Sequence, residues 1–130
     1  MITRDTDYAI RALGCIAGSD KSAFSVRDLT KQLGIPRPFL RKLLQVLTKK
    51  GFLKSYKGKG GGFVLVKDPK KITVFDLVQI FQGPFQLSEH IIKKEVCPNI
   101  KTCKLKRHLD KIEKHVIKQL KEFSISDFLK

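Results

Sequence analysis

A mainly α-helical fold with a small β-hairpin wing, a winged helix-turn-helix followed by a long C-terminal dimerisation helix, is what three stretches of this sequence predict. The first is residues 35–66, IPRPFLRKLLQVLTKKGFLKSYKGKGGGFVLV, where a basic helix runs into two short strands joined by a tip of glycines and lysines. The second is a shorter helix just before it, joined across Gly34-Ile35-Pro36. The third is a narrow apolar stripe from Cys103 to Phe123, the seam of a helix that packs along another helix.

Each element follows from local chemistry. In residues 4–17, Tyr8, Ala12, Leu13, Ile16 and Ala17 share a helical stripe, with Thr3 or Thr6 as cap and Gly18 as stop. Ser25-Val26-Arg27-Asp28 reads as a capping box with Asp in place of Glu, and Leu29 and Leu33 carry the period to Gly34. Pro36 and Pro38 suit the first turn of the next helix, where the missing N–H would be an orphan anyway. Phe39, Leu40, Leu43, Leu44 and Leu47 form that helix's apolar face, while Arg37, Arg41, Lys42, Gln45 and Lys49 fall elsewhere on the cylinder. Gly51 closes it.

Residues 52–56 and 63–66 read as strands, and the glycines between them let backbone approach a ligand closely. A helix for the major groove followed by a basic hairpin is the layout of a DNA reader. After Asp68-Pro69, Thr73-Val74-Phe75-Asp76 starts an amphipathic helix through Leu77, Ile80 and Phe81, ended by Gly83-Pro84. Residues 85–103 hold no sustained period. Beyond them, Leu105, Leu109, Ile112, Val116, Leu120 and Phe123 make the seam, whose partner is either the same helix of a second subunit or the chain's own domain. Ser126 suits the cap of a last short turn. The expected division is a DNA-binding domain over 1–83, a sensor loop over 84–103, and a dimerisation helix with its tail over 104–130.

Composition narrows the function. Twenty-seven Lys and Arg against 12 Asp and Glu leave a formal charge of +15 on 130 residues, which calls for an anionic partner, nucleic acid before any membrane surface. No apolar run is long enough to span a bilayer and no signal-peptide core begins the chain, so a cytoplasmic protein with reduced thiols is expected. Three cysteines do not make a disulfide framework. Gly60-Gly61-Gly62 lies between strands and so is no nucleotide loop, and with no nucleophile–base pairing in view an enzyme is not expected.

Asp7-Tyr8-Ala9-Ile10-Arg11-Ala12-Leu13, the helix-turn-helix, Lys57-Gly58-Lys59-Gly60-Gly61-Gly62-Phe63, Ile72-Thr73-Val74-Phe75-Asp76-Leu77 and Gly83-Pro84 together resemble the Rrf-two family of bacterial transcription regulators, in order and spacing over nearly the whole chain. The resemblance implies a homodimer that reads a palindromic operator in double-stranded DNA, as a repressor. Arg37, Arg41, Lys42 and Gln45 would face the major groove, and Lys57, Gly58, Lys59 and Gly60 would enter or flank the minor groove. Some relatives carry Glu-Gln where this chain has Arg41-Lys42, so a different operator is implied.

Many relatives hold an iron–sulfur cluster in the loop before the long helix. Cys97 and Cys103 resemble the second and third of three loop cysteines; the first is missing, and the nearest capable side chain is His90. Asp7 matches an acidic ligand from the opposite subunit in nitric-oxide-sensing relatives. Cys97, Cys103, His90 and Asp7 would together suit a [2Fe-2S] unit. Without the resemblance, two cysteines six positions apart are ordinary thiols, His90 and His115 are surface residues, Cys15 is core packing, and Asp7 favours a helix N-terminus. Three readings stay open: a regulator controlled by a cluster or thiol oxidation, the same fold controlled by a partner protein or small molecule, and a non-specific architectural nucleic-acid binder.

Overall fold

The computed structural model describes residues 2–19, 23–87 and 103–129. The chain enters α1 at Arg4–Ala17, with Thr3 rather than Thr6 as cap; its side chain accepts from the Thr6 amide. Thr6 is instead fully buried, and its hydroxyl donates to the Gln82 Oε1 at 2.7 Å. Helix α2, Val26–Leu33, starts in the expected capping box, Ser25 and Asp28 exchanging side-chain-to-amide bonds of 3.0 and 3.2 Å. Gly34 at φ 68° ends it in the left-handed region and turns the chain into α3, Arg37–Lys49.

The hairpin pairs β1, Leu53–Tyr56, antiparallel with β2, Gly62–Leu65. A two-stranded ribbon alone is marginal in water. Here Phe24, just before α2, exchanges two backbone hydrogen bonds with Phe63, at 3.0 and 2.7 Å, and so adds a third partner to the wing's base. Gly62 permits this: at φ 141°, a Cβ on it would collide with the Phe24 carbonyl.

A turn at Pro69–Lys71 leads into α4, Val74–Gln82, begun by reciprocal Thr73 and Asp76 bonds. Helix α5, Lys104–Glu122, follows, and Ile125–Phe128 forms a last 3-10 turn. That turn is capped from Ser124, whose amide donates to Asp127 at 2.8 Å, and not from Ser126 as expected. The Ile125 amide donates to the Ile72 carbonyl and the Val74 amide to the Phe123 carbonyl, both at 2.8 Å, lacing the chain's end to the start of α4.

One core joins α1, α2, α3, α4, the wing base and the final turn, through Ala9, Leu13, Phe24, Leu29, Leu40, Leu44, Leu47, Leu53, Leu77 and Ile125. The expected face of α3 needs one correction: Phe39 is 39% exposed. It lies at the margin of the leucine stripe, where α3 turns away from the core. Helix α5 packs beside α4 with none of its own residues fully buried, and Leu105 and Ile112 are 63% and 40% exposed.

Gly62→Ala is expected to lower unfolding stability by about 2–4 kcal/mol, since the bridge must break or the backbone move. Gly60→Ala, also at positive φ but in open space, is expected to cost only about 1–2 kcal/mol. Urea denaturation of the two variants checks the ranking.

Candidate nucleic-acid interface

From Lys31 to Lys67 the chain has ten Lys and Arg and no Asp or Glu. The fold turns this stretch into one surface. Four leucines of α3, Leu40, Leu43, Leu44 and Leu47, seat the helix in the core, so its opposite side must face solvent. Arg37, Arg41, Lys42, Gln45, Lys49 and Lys50 all lie exposed there. In the wing, Lys57, Gly58, Lys59 and Gly60 are exposed at the tip.

All eight residues expected to touch DNA are thus accessible, on two adjoining elements. Between them runs an open groove of about 360 Å³, lined by Gln45, Thr48 and Lys49 from α3 and Ser55 and Phe63 from the wing. Sequence reasoning missed Lys54 and Tyr56 of β1, both exposed, with the Lys54 ammonium 5.5 Å from the Tyr56 ring centre. Strand alternation puts residues two apart on one face and was the signal available. It also missed Arg4, whose guanidinium stands 5.0 Å from the ring centre of Phe39; only the fold brings α1 to the start of α3.

Of the four suggested cluster ligands, His90 and Cys97 lie outside the described residues. Cys103 is a half-buried free thiol at the entrance to α5, where no side chain caps the helix. Asp7 is on α1 and accepts from the Arg11 guanidinium at 3.1 Å, an exposed pair one helical turn apart. Among the described residues no three His, Cys, Asp or Glu side chains gather at metal-binding distance. His115 is exposed, as expected. No helix among the described residues is long and apolar enough to cross a membrane.

A family model described as Rrf2, iron-dependent transcriptional regulator, matches residues 2–130. The chain is 29% identical over 130 residues to protein aau3 of Rhizobium meliloti (strain 1021), covering 99% of this chain and 84% of that protein. It is 37% identical over 98 residues to an HTH-type transcriptional regulator of Aquifex aeolicus (strain VF5), covering 75% of this chain and 68% of that one. Its fold is similar to CymR, the global cysteine regulator of B. subtilis, with a TM-score of 0.78 at 23% identity, over 98% of this chain and 94% of that one. It is also similar to T. potens IscR, with a TM-score of 0.76 at 22% identity, over 98% and 84%.

Cys15 sits at the edge of the core and donates to Gln32 Oε1 at 2.7 Å. Burial pushes its thiol above the ordinary range, because the thiolate would lose solvation. At pH 8 the folded chain therefore holds less thiolate at Cys15 than the unfolded chain. Iodoacetamide is expected to label Cys15 about tenfold more slowly in the native protein than in urea, followed by mass spectrometry of its peptide, with the gap narrowing as pH rises.

Proposed function

Because the chain belongs to the Rrf2 family of transcriptional regulators, we propose that it is a homodimeric, cytoplasmic repressor that reads a palindromic operator through α3 and the wing, its affinity set by an iron–sulfur cluster or by thiol oxidation. The observation that carries the DNA half is the continuous acid-free basic surface of residues 31–67. Lysines and arginines on such a surface displace condensed counterions from phosphates, which supplies affinity without sequence information. Arg37, Arg41, Lys42 and Gln45 supply the donors that read guanine N7 and O6 or the adenine edge in the major groove. Lys57 and Lys59 flank the minor groove, and Gly58 and Gly60 let the wing's backbone approach it.

One such module makes too few base contacts for useful specificity, and a twofold dimer doubles them. The support for α5 as the dimer's seam is its half-covered apolar stripe, with Leu105 and Ile112 left in solvent. This keeps the proposed division: residues 1–83 read DNA, 84–103 sense, and 104–130 pair.

The residues that would hold a cluster are Cys97, Cys103, His90 and Asp7. Thiolate, imidazole and carboxylate are all iron donors, and the family model's description is itself iron-dependent. Bound there, a cluster would supply one-electron redox chemistry. Asp7 must then exchange its Arg11 partner for the metal, which frees a cation on α1. Regulation requires that the two states differ in their affinity for DNA.

Two measurements test this reading. With Lys57 and Lys59 both changed to Ala, affinity for a selected operator is expected to fall at least tenfold, with the slope of log affinity against log salt shallower by about 2; unchanged affinity removes the wing from the interface. For the sensor, protein purified without oxygen is expected to show charge-transfer absorption and stoichiometric iron and sulfide, lost in Cys97→Ser. A colourless, iron-free protein that resists reconstitution leaves thiol oxidation as the control.

A further inference from the structure

Phe39 is the large apolar side chain that α3 leaves outside the core. It is 39% exposed, whereas Leu40, Leu43, Leu44 and Leu47 of the same helix are at most 2% exposed. Its surroundings are cationic: Arg37 and Lys42 lie within a turn, and Arg4 stands 5.0 Å from its ring centre. Arg4 comes from a fixed element, since the first turn of α1 is pinned where the Thr3 amide and the Thr6 hydroxyl both donate to Gln82 Oε1, at 2.8 and 2.7 Å. An arginine held against an aromatic face keeps its charge and its donors at the ring edge available. The pair thus presents an apolar surface flanked by a cation, at the N-terminal end of the helix that carries the base-reading side chains.

The floor of the major groove offers hydrogen-bonding edges and one apolar group, the C5-methyl of thymine. Outside it lie the phosphates. We infer that Phe39 is a specificity-determining residue whose ring packs on a thymine methyl in each operator half-site, while Arg4 neutralises the phosphate beside that thymine. This extends the interface to α1 and rests on the operator reading proposed above. A protein partner for Phe39 is disfavoured by its setting inside the acid-free basic surface.

The test uses the full chain and duplexes enriched by it from a random library. In the enriched duplex each thymine is replaced singly by 2′-deoxyuridine, which removes the methyl and nothing else, and affinity is read by fluorescence anisotropy at fixed salt. One symmetry-related pair of thymines is expected to cost wild type about fourfold per methyl when replaced. Phe39→Ala is expected to abolish that difference, and Phe39→Leu to keep part of it. Arg4→Ala is expected to weaken all sequences evenly and make the salt slope shallower by about 1.

A uridine scan that is silent in wild type, or a penalty that persists in Phe39→Ala, overturns the methyl contact while an enriched operator still stands. An unchanged salt slope in Arg4→Ala overturns the phosphate contact. If no duplex is enriched over random sequence, the operator reading fails and the inference with it.

Discussion

The wing depends on two hydrogen bonds between Phe24 and Phe63. A hairpin of two four-residue strands with a glycine-rich tip has little side-chain area to hold it, and its tip lysines repel one another. By fastening β2 to the segment that opens α2, the bridge places wing and helix-turn-helix on one frame, and the buried Phe24 ring anchors that frame in the core. The distance from the wing tip to α3 is then set by backbone bonds and not by charged side chains. That matters for a DNA reader, since the tip and the helix must meet grooves whose spacing the duplex fixes.

The scarcity of free acids is the second constraint. Asp28, Asp76 and Asp127 accept from the backbone amides of Ser25, Thr73 and Ser124 at helix starts, and Asp68 accepts from the Lys70 amide. Asp7 and Asp110 pair with Arg11 and Lys106 along their own helices. Acids that favour helix N-termini thereby leave the cations of α3 and the wing uncompensated. The charge asymmetry follows from where the carboxylates are fastened as well as from how few they are. Its cost is self-repulsion, carried by a leucine-rich core spanning α1, α3 and the chain's last turn.

Local signals made most of the fold legible. Ser25 with Asp28 and Thr73 with Asp76 mark helix starts within four residues, and Gly34 and Gly51 mark stops, because capping and positive φ are properties of short stretches. The exposed lysines of the wing tip were equally plain. Phe39 was misplaced because its spacing of four from Leu43 fits the apolar stripe; periodicity gives an angle on the helix and not the edge of the surface that covers it. The Phe24–Phe63 bridge, the Thr3–Gln82 bond and the Arg4–Phe39 contact join positions far apart in sequence, and no period announces them. Ser126 lost the cap to Ser124 because the core claims Ile125, fixing the turn two residues earlier. Of the four suggested cluster ligands, Asp7 and Cys103 lie among the described residues, and Asp7 is paired with Arg11.

Gln82 ties the end of α4 to the start of α1. It is the last residue of α4, separated by Gly83 alone from the segment proposed to sense, and its side-chain oxygen accepts from both Thr3 and Thr6 at the start of α1. One residue on from Thr3, Arg4 rests on Phe39 at the start of α3. The path from the end of α4 to the recognition helix therefore crosses two hydrogen bonds and one ring contact. Two bonds to a single oxygen form and break together, because any rotation of the Gln82 side chain that spoils one spoils the other. The buried Thr6 hydroxyl also lies 3.1 Å from the Thr3 hydroxyl, so Thr3, Thr6 and Gln82 form one small polar network at the start of α1. Under the proposed regulation, a change in residues 84–103 need only turn Gly83 to act on Gln82, and the same helix start carries Asp7. Asp7, the ligand proposed from α1, and Arg4, which rests on Phe39, thus lie within the first turn of α1, three residues apart.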